Sequence, residues 1–134
     1  MKLVNTITLG AALCVLPMSS SFAEWKQLGS NEAIVVYVDQ DTIRVNGENA
    51  QIMSMLDFKK PGENPTTKKT VRSIIGLNEY NCPSGSYRPI EFKEFSGPKG
   101  TGDVVSDNKT PDSKFEAVEN GGWSAGVFNI VCKR

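Results

Sequence analysis

The chain has no histidine, and this absence removes more chemistry than any residue present supplies. Without an imidazole there is no Ser-His-Asp or Cys-His relay to activate a nucleophile, and no neutral nitrogen donor for zinc. No GxxxxGK[ST] phosphate loop occurs. The glycine-rich stretch "GPKGTG", 97–102, lacks the strand before it and the helix after it that would make it a nucleotide cradle. Acids and bases balance at fifteen each, so no overall basic field exists to hold nucleic acid or an anionic membrane. Carboxylate pairs such as Asp39/Asp41 and Glu91/Glu94 read as solvated turn and strand faces. The residues thus predict a non-enzyme, with no catalytic residue, no metal ligand set, no cofactor and no nucleic-acid partner.

Long apolar runs are missing too. Ile7–Leu16 is apolar over about ten residues, half of the roughly twenty a membrane-spanning helix needs. Lys2 and the amino terminus precede it with positive charge, and Ser21-Phe22-Ala23 follows with small residues at the −3 and −1 positions. That layout predicts a cleavable secretory signal over residues 1–23 and a single mature domain over 24–134. Cys14 lies inside the apolar run behind Leu13, the wrong setting for a lipidated cysteine. No transmembrane segment is expected. The expected location is the periplasm, the outer-membrane surface or the medium.

Cysteine is scarce, and export makes its scarcity readable. Of the chain's three cysteines, Cys82 and Cys132 fall in the mature part, an even pair in an oxidising compartment. A metal site would want further Cys or His ligands, and a nucleophilic thiolate would want a base. The pair is therefore predicted to be a disulfide.

Several stretches carry strand signals. "AIVVYVD", 33–39, is rich in β-branched residues and is read as ending at Asp39. Asn46-Gly47 marks a turn, and alternation from about 50 to 59 marks the next strand. "KKPGENPTTKK", 59–69, reads as a hairpin tip or an exposed loop, followed by a long strand over 70–82 in which Gly76 marks a bulge or a close approach. "SYRPIEFKEF", 86–95, is a half-buried strand whose Pro89 suggests an edge or an irregular start. The polar stretch 96–114 reads as a long loop, functional or mobile, with room for a short strand at Asp103–Ser106. Trp123, Val127, Ile130 and Val131 then fall on one face of a C-terminal helix, with Ser124 as its expected N-cap and a strand as the alternative. The fold class is α+β, mainly β: an antiparallel sheet of five or six strands, with one C-terminal helix packed on a face and tied by the disulfide.

One cluster stands out on this frame. Lys59, Lys60, Lys68, Lys69 and Arg72 flank the 61–67 loop on both arms of a hairpin, opposed by only Asp57 and Glu63. Two readings are open: lysines that keep a strand edge from pairing with other chains, or a docking patch for an anionic partner.

The order of "EWKQLG", "VVYVDQDTIRVNG", "LNEYNC", "SYRPIEF" and a near-terminal cysteine resembles the surface-adhesin protein E-like proteins of Gram-negative bacteria. Asp39, Thr42, Ile43 and Gly47, with Tyr80 and Cys82, are the most specific positions. The resemblance implies the sheet-and-helix fold and a non-catalytic exported binding module. Its expected partner is a host extracellular-matrix or plasma protein. A homodimer through a sheet edge is a further expectation. The alternative function is a small periplasmic inhibitor or accessory protein acting on a hydrolase or the cell envelope.

Overall fold

The computed structural model describes residues 23–133; most of the segment expected to be a secretory signal, Cys14 included, and Arg134 lie outside them. Six strands follow one another across an antiparallel sheet in chain order: β1 (Lys26–Ser30), β2 (Ile34–Asn46), β3 (Asn49–Glu63), β4 (Thr70–Asn81), β5 (Ser86–Phe95) and β6 (Val104–Lys109). A two-residue strand, β7 (Glu116–Ala117), pairs with Ser86 and Tyr87 of β5. The helix α1 (Trp123–Cys132) completes the fold, and the C-terminal stretch is thus helical.

Alternation within the strands decides what the helix covers. Val36 and Val38 of β2, Ala50 and Ile52 of β3 and Tyr80 of β4 share one face, and Val127 and Val131 of α1 close over them to form the core. Leu28, Tyr87, Trp123 and Phe128 pack around this cluster. The helix starts after Gly122, which takes the N-cap position with extended φ/ψ. Ser124, the expected cap, is instead the second residue of the helix and is buried. Small residues suit this face because the helix lies close to the sheet: a Cβ on Gly126 would meet Leu28 at 3.4 Å.

Cys82 and Cys132 form the disulfide, with Cα atoms 5.5 Å apart across a sequence separation of 50. It joins the last residue of α1 to the turn between β4 and β5. Gly76 is where two strands approach closely: a Cβ there would stand 3.0 Å from the Glu91 carbonyl oxygen and from Phe92 Cβ. The β4–β5 register slips one pair further on, so that Leu77 faces Glu91 while Asn78 faces Pro89. Pro89 therefore marks a bulge inside β5, a strand paired on both sides, rather than the edge or irregular start expected of it.

Tyr80 is the largest fully buried side chain, stacked on Tyr87 with ring centroids 5.7 Å apart. Its hydroxyl has no hydrogen-bond partner among the described residues. Burial, with the Tyr87 hydroxyl a smaller cause, pushes its ionisation far above the usual phenol range. An unpaired buried hydroxyl costs on the order of 1–3 kcal/mol. Tyr80→Phe should therefore raise the unfolding free energy by about 1 kcal/mol in a urea titration. A loss of that size would mean that the hydroxyl is satisfied in solution.

Candidate functional site

The β3–β4 hairpin carries the five basic residues, and its geometry follows from one large irregularity. Asp57 pairs with Ser73 and Gly62 with Val71, so four residues of β3 stand opposite Arg72 alone. Lys59 and Lys60 lie in that bulge. Arg72 closes it: its Nε donates to the Phe58 carbonyl at 2.9 Å, and the side chain is half-buried. Arg72 thus has a structural task that the sequence pattern did not foretell.

The tip is held by Asn64. Its Oδ1 accepts from the Thr66 and Thr67 amides at 2.9 Å each, and its Nδ2 donates to Glu94 Oε1 of β5 at 2.6 Å. The Lys68 amide donates to the Asn64 carbonyl, which places Lys68 at φ 64°. An L-residue in this left-handed region costs roughly 1–2 kcal/mol unless it is glycine. A lysine therefore stands where glycine or asparagine would be less strained.

Lys59, Lys60, Lys68 and Lys69 are all exposed, and none joins an ion pair among the described residues. They do not meet at one point. Lys69 lies level with Asn64, so about 13 Å, four strand positions, separates it from the level of Lys60. The cations form a strip along the hairpin rather than a pocket. Asp57, one of the two expected opposing acids, accepts from the Lys99 amide at 3.0 Å. Glu63 is exposed beside Thr70.

The stretch 96–114 is tied to the sheet rather than looped free. A 3-10 turn at Pro98–Gly100 folds over the face opposite the helix. There Ser73 Oγ donates to the Gly97 carbonyl at 2.7 Å and accepts from the Gly100 amide at 2.8 Å. Further on, Arg88 binds Glu79 at 2.9 Å and the Pro111 carbonyl at 2.6 Å. Of the basic and acidic side chains near this stretch, those engaged with each other read as struts.

Sequence reasoning missed a second feature. On the helix side of the sheet, beyond the first turn of α1, a cleft of about 230 Å³ opens over β3, β4 and β5. Leu56, Ile74, Tyr87, Phe92 and Trp123 supply its apolar walls. A signal for it exists in the lengths. A ten-residue helix is about 15 Å long, whereas strands of twelve to fifteen residues run to about 40–50 Å. The helix leaves part of the apolar face uncovered.

The described residues form a meander of long strands braced by one C-terminal helix and a disulfide, with cations carried on a hairpin, and among them no group of three or more His, Cys, Asp or Glu is placed to hold a metal. No helix among the described residues is long and apolar enough to cross a membrane. The family model of surface-adhesin protein E matches residues 25–133, and the chain belongs to that family. Two crystal structures of Haemophilus influenzae protein E share the fold at 15% identity. Each match covers 89% of this chain, with 91% and 94% of the other chain and TM-scores of 0.59 and 0.62. Protein E from non-typeable Haemophilus influenzae matches at 15% identity over 89% of this chain and 82% of that one, TM-score 0.58. No curated protein sequence matches.

Proposed function

We propose that the chain is exported by its N-terminal signal and acts as a non-catalytic, adhesin-like module. In this reading it engages a host or extracellular protein through the basic strip of the β3–β4 hairpin. The observation that carries this reading is the state of the lysines. All four are exposed, unpaired by any acid among the described residues, and carried on a hairpin whose tip is braced by Asn64, with Lys68 held in a strained conformation. Strain kept at an exposed, braced turn is characteristic of sites that bind. Membership of an adhesin family supports the class of function, and the strip of cations selects an acidic segment of the partner. A second copy would pair along the outer strands β1 or β6, where backbone groups lack a neighbouring strand among the described residues.

The test uses intact cells and purified mature protein. Surface labelling establishes whether the protein reaches the outside. Binding is then measured against matrix and plasma proteins for the wild type and for Lys68→Glu/Lys69→Glu. The double variant should bind at least tenfold more weakly, and wild-type affinity should fall as salt rises, because exposed charges are screened within about 8–10 Å. Its unfolding free energy should change by no more than about 0.5 kcal/mol. Unchanged binding by the double variant at low salt would leave these lysines only the role of keeping a strand edge soluble.

A further inference from the structure

The uncovered cleft beside α1 has the composition of a ligand site. Apolar walls line it, and two polar side chains lie among them: Ser54 is 3% exposed and Asn78 7% exposed. Their single side-chain hydrogen bond is long, Asn78 Nδ2 to Ser54 Oγ at 3.4 Å.

The charge at the site has one sign. Glu116 lines the cleft, facing Tyr87 across the β5–β7 pair, and among the described residues no basic side chain lines it. Tyr87 registers this field: burial raises its ionisation, and the carboxylates of Glu116 and then Glu119 raise it further. Two aromatic rings sit beside the carboxylate, with Tyr87 and Trp123 edge-to-face at 5.6 Å between centroids. Aromatic faces next to a carboxylate attract organic cations.

We propose that this cleft binds a small organic cation, a protonated amine carrying an aromatic or branched aliphatic body. The body lies against Leu56, Ile74 and Phe92, and the ammonium sits between Glu116 and the rings of Tyr87 and Trp123. At about 230 Å³ the cleft is smaller than the 300–1,000 Å³ typical of drug-sized ligands, so the ligand is correspondingly compact. The site is separate from the basic hairpin, which would repel such a ligand.

Three matched probes test this: 3-phenylpropylammonium, 3-phenylpropanol and 3-phenylpropanoate, titrated into the mature protein and followed by NMR. The ammonium should bind saturably, shift the Trp123 indole and Phe92 ring signals, and bind more tightly than the alcohol, with the carboxylate weakest. Glu116→Gln should weaken the ammonium by about threefold, in line with a partly exposed ion pair, and leave the alcohol unchanged. Glu116 is exposed, so the variant should fold, and its thermal melt serves as the control. The proposal is overturned if the alcohol or the carboxylate binds as tightly as the ammonium, if the shifts map elsewhere, or if no probe saturates at millimolar concentration.

Discussion

Replacing both cysteines with serine is expected to lower the unfolding free energy by about 4 kcal/mol, the chain-entropy value for a loop of roughly fifty residues. For a domain of this size that is a large share of a total of about 5–15 kcal/mol. The position of the bridge makes the loss more than a matter of loop closure. Cys132 is the last residue of α1, and Cys82 opens the turn between β4 and β5, where its amide donates to the Glu48 carbonyl at 3.1 Å. A ten-residue helix is not stable alone in water. It persists because Val127 and Val131 are buried against the sheet, and the bridge holds its far end on that surface. Urea titration of Cys82→Ser/Cys132→Ser against the wild type measures the effect, and Cys132→Ser alone should lose about as much. A change below about 1 kcal/mol, or two titratable thiols in denatured protein isolated from the periplasm, would show that the bridge is not a structural element of the native chain.

Why the disulfide, the helix and four long strands could be read from residues alone is plain: each rests on a local or compositional signal. An even cysteine pair, a 3.6-residue apolar period and runs of β-branched residues do not depend on distant partners. Features that do depend on such partners escaped. Asp39 looked like the end of a strand, yet β2 runs on to Asn46. Thr42 explains this: its hydroxyl donates to the Asp39 carbonyl and accepts from the Met53 amide of β3, carrying the pairing across a register shift. The same bonds give physical content to Asp39 and Thr42, two of the positions that carried the family resemblance. Gly47, at φ 64°, begins the two-residue turn into β3.

The stretch 96–114 illustrates the same limit. Its composition is that of a loop, and its order comes from Ser73, Asp57 and Arg88, side chains 23 to 42 residues away. No local pattern encodes those contacts. Ser124 errs in the opposite direction. A serine two residues behind Gly122 has the right chemistry for a cap, but the helix begins one residue before it and turns it towards the sheet. The basic cluster was visible as composition. Its spread along the hairpin, and the diversion of Arg72 to a backbone carbonyl, required the bulge.

Ile52→Ala should be the most damaging of the simple core truncations, by about 2–5 kcal/mol. Ile52 is fully buried on β3, within the cluster that Val127 and Val131 cover. Removing three carbons there loses their transfer free energy and leaves a cavity that helix and sheet, joined by a disulfide, cannot readily collapse. Ile74 provides the comparison. It lies on the same face of the sheet, on β4 opposite Leu56, but beyond the reach of α1, where it walls the open cleft and is only half-buried. Ile74→Ala widens a space that already meets solvent, so it should cost about 1 kcal/mol or less. The two substitutions are chemically identical, and the difference between them measures what helix cover contributes. Urea denaturation of both variants, with the disulfide intact, reads that difference directly. Equal losses would mean that the cleft is closed in solution and Ile74 fully packed, which would also remove the space available to an organic cation.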